Sequence, residues 1–137
     1  MKTIIIIGLV FGTAICSGQT IKLTDEQINQ SGVNRLIFTD DIEKAKELSR
    51  QDIANGTPFI LLFSGIAPIT YLNDTTFERK YESFYYEFGC NGPMDDKYLK
   101  AYNEVTFEYL KNNYGTKWTK EIRKDVIGFK DWKKRKK

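Results

Sequence analysis

The first apolar segment of the chain, residues 4–15, is interrupted only by two glycines and a threonine. Lys2 precedes this segment and small residues suited to signal peptidase follow it at 16–18, an order typical of a secretory signal peptide. At about 12 residues, the segment is shorter than the roughly 20 needed to cross a membrane. We predict that residues 1–18 are a signal peptide, removed near Gly18, and that the protein is secreted or periplasmic. Lipidation at Cys16, which gives an anchored lipoprotein, is the alternative.

Behind this segment, the hydrophobic pattern predicts a strand, a helix and a second strand. Residues 33–39 (VNRLIFT) are rich in β-branched and aromatic side chains, which favours a short strand. A helix then starts at Asp40, which resembles a capping box with Glu43, and ends at 55–56 (Asn-Gly). Its apolar stripe consists of Ile42, Ala45, Leu48 and Ile53. Residues 58–64 (PFILLFS) are apolar almost throughout, which indicates a strand buried on both faces.

The second half of the chain is predicted to contain one long strand and two helices. Residues 77–88 (FERKYESFYYEF) partly alternate between apolar and polar, as a half-exposed strand does. A helix capped by Asp95 or Asp96 ends before Gly115, and a last helix covers 117–126. This order predicts an α+β fold, in which a small, mostly antiparallel sheet carries helices on one face. A thioredoxin-like α/β fold without the Cys-x-x-Cys redox motif is the alternative.

The absence of histidine restricts the chemistry that this chain can perform. Without histidine there is no Ser-His or Cys-His catalytic pair and no zinc site with histidine ligands. Cleavage near Gly18 leaves Cys90 as the only cysteine, so no disulfide can form within the mature chain. No spacing matches a known metal or cofactor motif, and we therefore predict neither a metal site nor a cofactor.

Basic residues are concentrated at the C-terminus, where residues 130–137 (KDWKKRKK) contain six Lys or Arg and one acid. We predict that a single globular domain spans 19–129 and that 130–137 form a basic tail. A tail that carries Lys133, Lys134 and Arg135 is attracted to anionic surfaces. The alternative is a solvated terminus that serves only solubility.

Tyrosines are the main candidates for a binding surface. Six lie within a short stretch of the chain, namely Tyr81, Tyr85, Tyr86, Tyr98, Tyr102 and Tyr109. Tyrosine is favoured at interfaces because it brings a large contact area with few rotatable bonds. We predict that Tyr81, Tyr85 and Tyr86 contact a protein or glycan partner, and the alternative is that they complete the core. Cys90 is a candidate reactive thiol, with a buried structural thiol as the alternative.

Two segments, 77–90 (FERKYESFYYEFGC) and 109–128 (YLKNNYGTKWTKEIRKDVIG), resemble a family of small exported bacterial proteins that has no assigned activity. The resemblance implies bacterial export and no particular chemistry. Taken together, these observations predict a non-enzymatic binding or interaction domain of the cell envelope, without a specific nucleic-acid partner. The alternative is a small hydrolase without histidine that uses carboxylates or Cys90.

Overall fold

The computed structural model describes residues 22–63, 65, 67, 70–89, 92, 93 and 95–136. The predicted signal peptide and Cys90 lie outside these residues. The helices are α1 (Asp25–Gln30), α2 (Gly32–Leu36), α3 (Ile42–Ala54), α4 (Asp74–Tyr81), α5 (Asp96–Tyr114) and α6 (Phe129–Arg135), with a short 3-10 helix at Lys117–Lys120. The strands are β1 (Phe59–Phe63) and β2 (Phe84–Phe88). None of these helices combines the length and the apolar character needed to cross a membrane.

The two strands form one parallel sheet, so the predicted antiparallel arrangement is wrong. Phe59 pairs with Phe84 at one end of the sheet, and Phe63 pairs with Phe88 at the other. The chain leaves β1, passes through α4 and then enters β2, and such a crossover connection lets both strands run in the same direction. The predicted mixture of helices and strands is confirmed.

Helices cover both faces of this sheet, and not one face as predicted. Phe59 and Leu61 of β1 belong to a cluster with residues of α2, α3 and the first half of α5. Ile60 and Leu62 belong to a second cluster with α4, the second half of α5, the 3-10 helix and α6. Successive strand side chains point to opposite faces, which explains why β1 is apolar at consecutive positions.

Side chains of α5 bond the edge of β1 that faces away from β2. Asn103 Oδ1 accepts the Leu61 N–H at 2.8 Å, and Asn103 Nδ2 donates to the Leu61 carbonyl at 2.9 Å. The Thr106 hydroxyl donates to the Phe59 carbonyl at 2.9 Å. Asn103 and Thr106 are fully buried. The helix therefore satisfies backbone groups that a third strand would otherwise pair.

Local signals place the ends of α3 and α5 close to their predicted positions. The cap of α3 is Asp41 and not Asp40, because the Asp41 carboxylate accepts the Glu43 N–H at 2.7 Å. Asp95 caps α5 as predicted, and Gly115 ends it with a φ of 70°. A glycine is favoured at this last position because side chains disfavour a positive φ.

The segment predicted as a strand at 33–39 is instead largely helical, in α2. Asp52 of α3 accepts the N–H of Gly32 at 2.6 Å and that of Val33 at 3.2 Å, and so caps α2 from a neighbouring helix. A Cβ at position 32 would come within 2.6 Å of the Leu48 carbonyl oxygen, so this close approach requires glycine. Tertiary contacts thus outweigh the β propensity of the segment.

Only the second half of the strand predicted at 77–88 is extended. Phe77 and Tyr81 lie four residues apart and are both buried on one side of α4. Glu82 has a φ of 47°, the left-handed conformation that commonly ends a helix, and β2 begins at Phe84. The segment thus contains a helical spacing of apolar residues in its first half as well as an alternation of apolar and polar residues.

The C-terminal segment also differs from the prediction. The helix predicted at 117–126 is reduced to the 3-10 helix, and Gly128 precedes α6. Phe129 and Trp132 are only 7% and 3% exposed, so α6 packs on the core. The predicted boundary between domain and basic tail at residue 129 therefore falls inside a packed helix.

Candidate functional site

A polar cleft lies where α4, β2 and the segment after the 3-10 helix meet. Two depressions, of about 340 and 380 Å³, share Asp74 and Arg123 in their walls. We call this region the Arg123 cleft and define it by Tyr71, Asp74, Glu78, Tyr85, Glu87, Arg123 and Asp125. Its residues come from three separate stretches of the chain, 71–78, 85–87 and 123–125, so only folding brings them together.

Carboxylates from all three stretches hold Arg123. Its Nη1 donates to Glu87 Oε1 at 2.7 Å and to Asp74 Oδ2 at 3.2 Å. Its Nε and Nη2 donate to the two oxygens of Asp125 at 3.1 and 2.7 Å. The Arg123 side chain is only 8% exposed. Because bidentate and charge-assisted bonds fix both position and orientation, the guanidinium is a rigid part of the cleft.

Two tyrosine rings lie close to the same guanidinium. The Arg123 Cζ is 4.8 Å from the ring centre of Tyr71 and 5.6 Å from that of Tyr85, within the range of a cation–π contact. The Tyr85 hydroxyl accepts the Arg123 backbone N–H at 3.2 Å. The Tyr71 N–H donates to Asp74 at 2.9 Å, which ties the Tyr71 segment to the start of α4. Tyr71 remains 51% exposed and so lines the cleft towards solvent.

The cleft carries more negative than positive charge. Asp74, Glu87 and Asp125 contribute three carboxylates against the single guanidinium. The hydrogen bonds from Arg123 lower the pKa of Asp125, so this carboxylate is ionised at neutral pH. Burial raises the pKa of the Glu78 carboxyl, which accepts the Tyr85 N–H at 2.9 Å. Three carboxylates around one guanidinium give the described part of the cleft an acidic character, which favours cationic groups.

The three predicted binding tyrosines do not share one surface. Tyr85 lies in the Arg123 cleft, where burial raises the pKa of its hydroxyl. Tyr86 points to the other face of the sheet, where its hydroxyl donates to Asn34 at 3.2 Å. Tyr81 is only 3% exposed, and its ring packs against Phe77 in the core.

The predicted basic residues lie together on α6, apart from the cleft. Lys133, Lys134 and Arg135 are exposed. Arg135 forms an ion pair with Glu104 at 3.1 Å, and the Lys133 ammonium is 5.7 Å from the Phe129 ring centre. Cys90 lies outside the described residues, and the reactive thiol predicted there stays a prediction.

Sequence reasoning identified Tyr85 but missed the residue at the centre of the cleft. Arg123 lies 49 positions from Asp74 and 36 positions from Glu87, and no local pattern links residues so far apart. Asp74 follows Asn73, and such an Asn-Asp pair is typical of a turn.

Within the described ranges, no three His, Cys, Asp or Glu side chains are grouped so that they could hold a metal ion. No protein-family model matches the chain, and neither a curated protein nor a solved structure, thioredoxins included, matches it significantly. The predicted resemblance to exported bacterial proteins therefore stays a prediction.

Proposed function

We propose that this protein is an exported, non-enzymatic binding domain of the bacterial cell envelope, and that its ligand site is the Arg123 cleft. The ligand we propose is a cationic side chain, lysine or arginine, presented by a partner protein. The observation that carries this proposal is the convergence of three carboxylates on one nearly buried guanidinium beside an exposed tyrosine ring.

The charge balance of the cleft supports a cationic ligand. Asp74, Glu87 and Asp125 leave two negative charges after Arg123 is counted. Glu78 adds a further acid, while Lys124 at the rim offsets one charge. A concave site lined by one sign of charge concentrates ligands of the opposite sign and speeds their association.

The tyrosine rings supply a second means of recognition. Arg123 already shows that a guanidinium fits beside the rings of Tyr71 and Tyr85. The half-exposed Tyr71 ring can contact a second cation, and the neighbouring Leu72, 98% exposed, offers apolar surface to the aliphatic part of a lysine or arginine. Large apolar surface next to charge is typical of protein-binding sites.

The proposal is tested by titrating the protein with an acetylated and amidated tetralysine peptide while amide chemical shifts are recorded. We expect shifts at residues of the Arg123 cleft. We expect Tyr71→Ala and Asp125→Asn each to weaken binding about fivefold to tenfold, because one removes a cation–π contact and the other a negative charge. Thermal unfolding of each variant checks that the fold is retained.

Matched controls are available at exposed positions outside the cleft. Phe38→Ala removes an exposed ring and Asp40→Asn removes an exposed carboxylate, and both should leave the affinity unchanged. Equal weakening by controls and cleft variants would contradict the proposal. So would binding of a neutral oligosaccharide, such as chitotetraose, in the cleft when tetralysine does not bind.

A further inference from the structure

A second groove lies between α3, α5 and α6, and it combines a basic rim with an apolar floor. Its volume is about 410 Å³. The cations in its wall are Lys46, Lys97, Lys100 and Arg135, the acids are Glu104 and Asp131, and the apolar residues are Ile42, Ala101, Phe107 and Trp132. Each of these four cations forms an ion pair with a nearby carboxylate, namely Glu43, Asp95, Asp96 and Glu104 in that order. Among the residues that the structure describes, the groove shares none with the Arg123 cleft.

The outer side of α6 extends this basic rim. In the part of the chain that the structure describes, Lys130, Lys133 and Lys134 have no carboxylate within 4.0 Å, whereas Lys136 pairs with Glu108 at 2.8 Å. The helix does not need to be ordered by a ligand, since its two buried aromatic side chains already attach it to the core. The exposed ammonium groups are therefore presented on a rigid surface at no further cost in backbone entropy.

Exposed apolar side chains lie beside the groove. Ile42, in the groove wall, is 43% exposed, and Ile37 and Phe38, in the loop before α3, are 40% and 87% exposed. The Tyr98 hydroxyl donates to the Asp40 carbonyl at 2.9 Å and so fastens this loop to the first turn of α5. Exposed large apolar residues at such a loop commonly mark an interaction site.

We propose that the face formed by α6, the groove and the 37–42 loop binds the surface of an anionic phospholipid membrane. Lys130, Lys133 and Lys134 contact the phosphate groups of the lipids, and Phe38 and Ile42 insert into the boundary between head groups and acyl chains. Basic residues next to exposed aromatic and aliphatic residues match a surface that is anionic outside and apolar just beneath. A nucleic acid or another polyanion offers the charge without the apolar layer.

The test is co-sedimentation of the full chain with phosphatidylglycerol vesicles and with phosphatidylcholine vesicles. We expect binding to the first and little to the second, with a loss at high salt. The triple substitution K130Q/K133Q/K134Q should weaken binding about 100-fold, because each cation near an anionic membrane contributes about fivefold. Phe38→Ser should weaken it further, as a ring no longer enters the lipid.

The control is K22Q/K117Q/K120Q, which removes the same charge from exposed positions outside this face. It also leaves residues 1–21 intact, so any membrane contact of that segment is the same in all variants. Equal loss in both triple variants would overturn the proposal and leave only a net-charge effect. Failure to bind phosphatidylglycerol would also overturn it. Equal binding to heparin and vesicles, with Phe38→Ser without effect, would identify a general polyanion surface and overturn the lipid assignment.

Discussion

At the scale of single residues, the buried carboxylate of Asp52 links three helices of the fold. Its oxygens accept hydrogen bonds from the N–H groups of Gly32 and Val33 and from the Tyr102 hydroxyl at 2.6 Å. Asp52 and Tyr102 are both buried. Burial is the main reason that the pKa of Asp52 is raised, and the three hydrogen bonds only partly oppose it.

The raised pKa gives a prediction for Asp52→Asn. Because the folded pKa exceeds the unfolded one, the stability that the carboxyl contributes is fully present below the unfolded pKa of about 4. It is lost as the pH rises through the folded pKa. The amide lacks an acceptor for the Val33 N–H, so the variant should be about 1 to 3 kcal/mol less stable at acid pH. The difference from the wild type should narrow towards neutral pH.

Urea unfolding of both proteins at several pH values measures this difference. Asp40→Asn is a control, since Asp40 lies exposed in a loop, and its effect should be small at every pH. A difference between wild type and Asp52→Asn that stays constant with pH would show that the Asp52 pKa is not shifted. A difference that grows towards neutral pH would show that it is lowered.

Residue types were recognised from the sequence better than residue partners. Asp41 and Asp95 lie beside the backbone groups that they cap, and such contacts can be inferred from local spacing. Asp52 and Arg123 obtain their partners from distant segments, and nothing in their own surroundings indicates those partners. The candidate site was therefore predicted only through Tyr85, the one residue of the cleft with a local pattern.

At the scale of elements, α5 connects the two halves of the core. It packs on both sides of the sheet, since Leu99 and Tyr102 belong to one buried cluster and Phe107 and Leu110 to the other. Between them, Asn103 bonds the backbone of β1 and also donates to the Ile127 carbonyl at 2.9 Å. A single turn of α5 thus joins the sheet to the segment that leads into α6.

Asn103→Ala should therefore destabilise the protein strongly. The substitution leaves the buried Leu61 N–H without its acceptor and removes a donor from the Ile127 carbonyl. We therefore expect the free energy of unfolding to fall by about 2 to 3 kcal/mol. Asn113→Ala is the matched control on the same helix, because Asn113 is exposed and its side chain donates to the Tyr109 carbonyl one turn earlier. We expect Asn113→Ala to lower the free energy of unfolding by about 0.5 kcal/mol or less. Urea unfolding gives both values, and equal effects would contradict the role of Asn103.

The elements that were predicted correctly are those whose signals lie within a few residues. α5 has a cap, a long apolar stripe and a final glycine, and β1 is too apolar and too short to be a surface helix. α2 and α4 were predicted as strands because their stabilising contacts are tertiary: a carboxylate from α3 in one case and packing of Phe77 in the other. The antiparallel direction predicted for β2 was wrong because α4 had been missed. A helix that connects two strands allows them to run parallel.

At the scale of the whole molecule, the two proposed surfaces differ in charge and have no described residue in common. The chain as a whole has a net charge of +3, which conceals an acidic cleft and a basic face. A partner protein in the Arg123 cleft and a lipid surface on α6 therefore do not compete for the same side chains. This separation allows the domain to bind a partner protein and a lipid surface at the same time. A protein that is held at a membrane and recruits a partner binds in this way.

Both surfaces are consistent with a mature chain that begins near Gln19. Cleavage after Gly18 keeps every residue of the two buried clusters and of both proposed surfaces, so no described core contact is lost. We expect the intact mass of the protein recovered from the periplasm or medium of a producing bacterium to correspond to a start at Gln19. Gly18→Leu should block processing, because signal peptidase requires a small residue before the cut.

A diacylglycerol mass on Cys16 would instead establish the lipoprotein alternative, in which a lipid chain attaches the domain to the membrane. In that case K130Q/K133Q/K134Q would change how the domain lies on the membrane and not whether it is attached, because one or two acyl chains outweigh a few lysines at physiological salt. Recovery of the unprocessed chain from the cytoplasm, with Met1 retained, would contradict export. The cleft could then only meet cationic partners inside the cell, and the envelope part of the proposed function would fail while the charge argument for the cleft would stand.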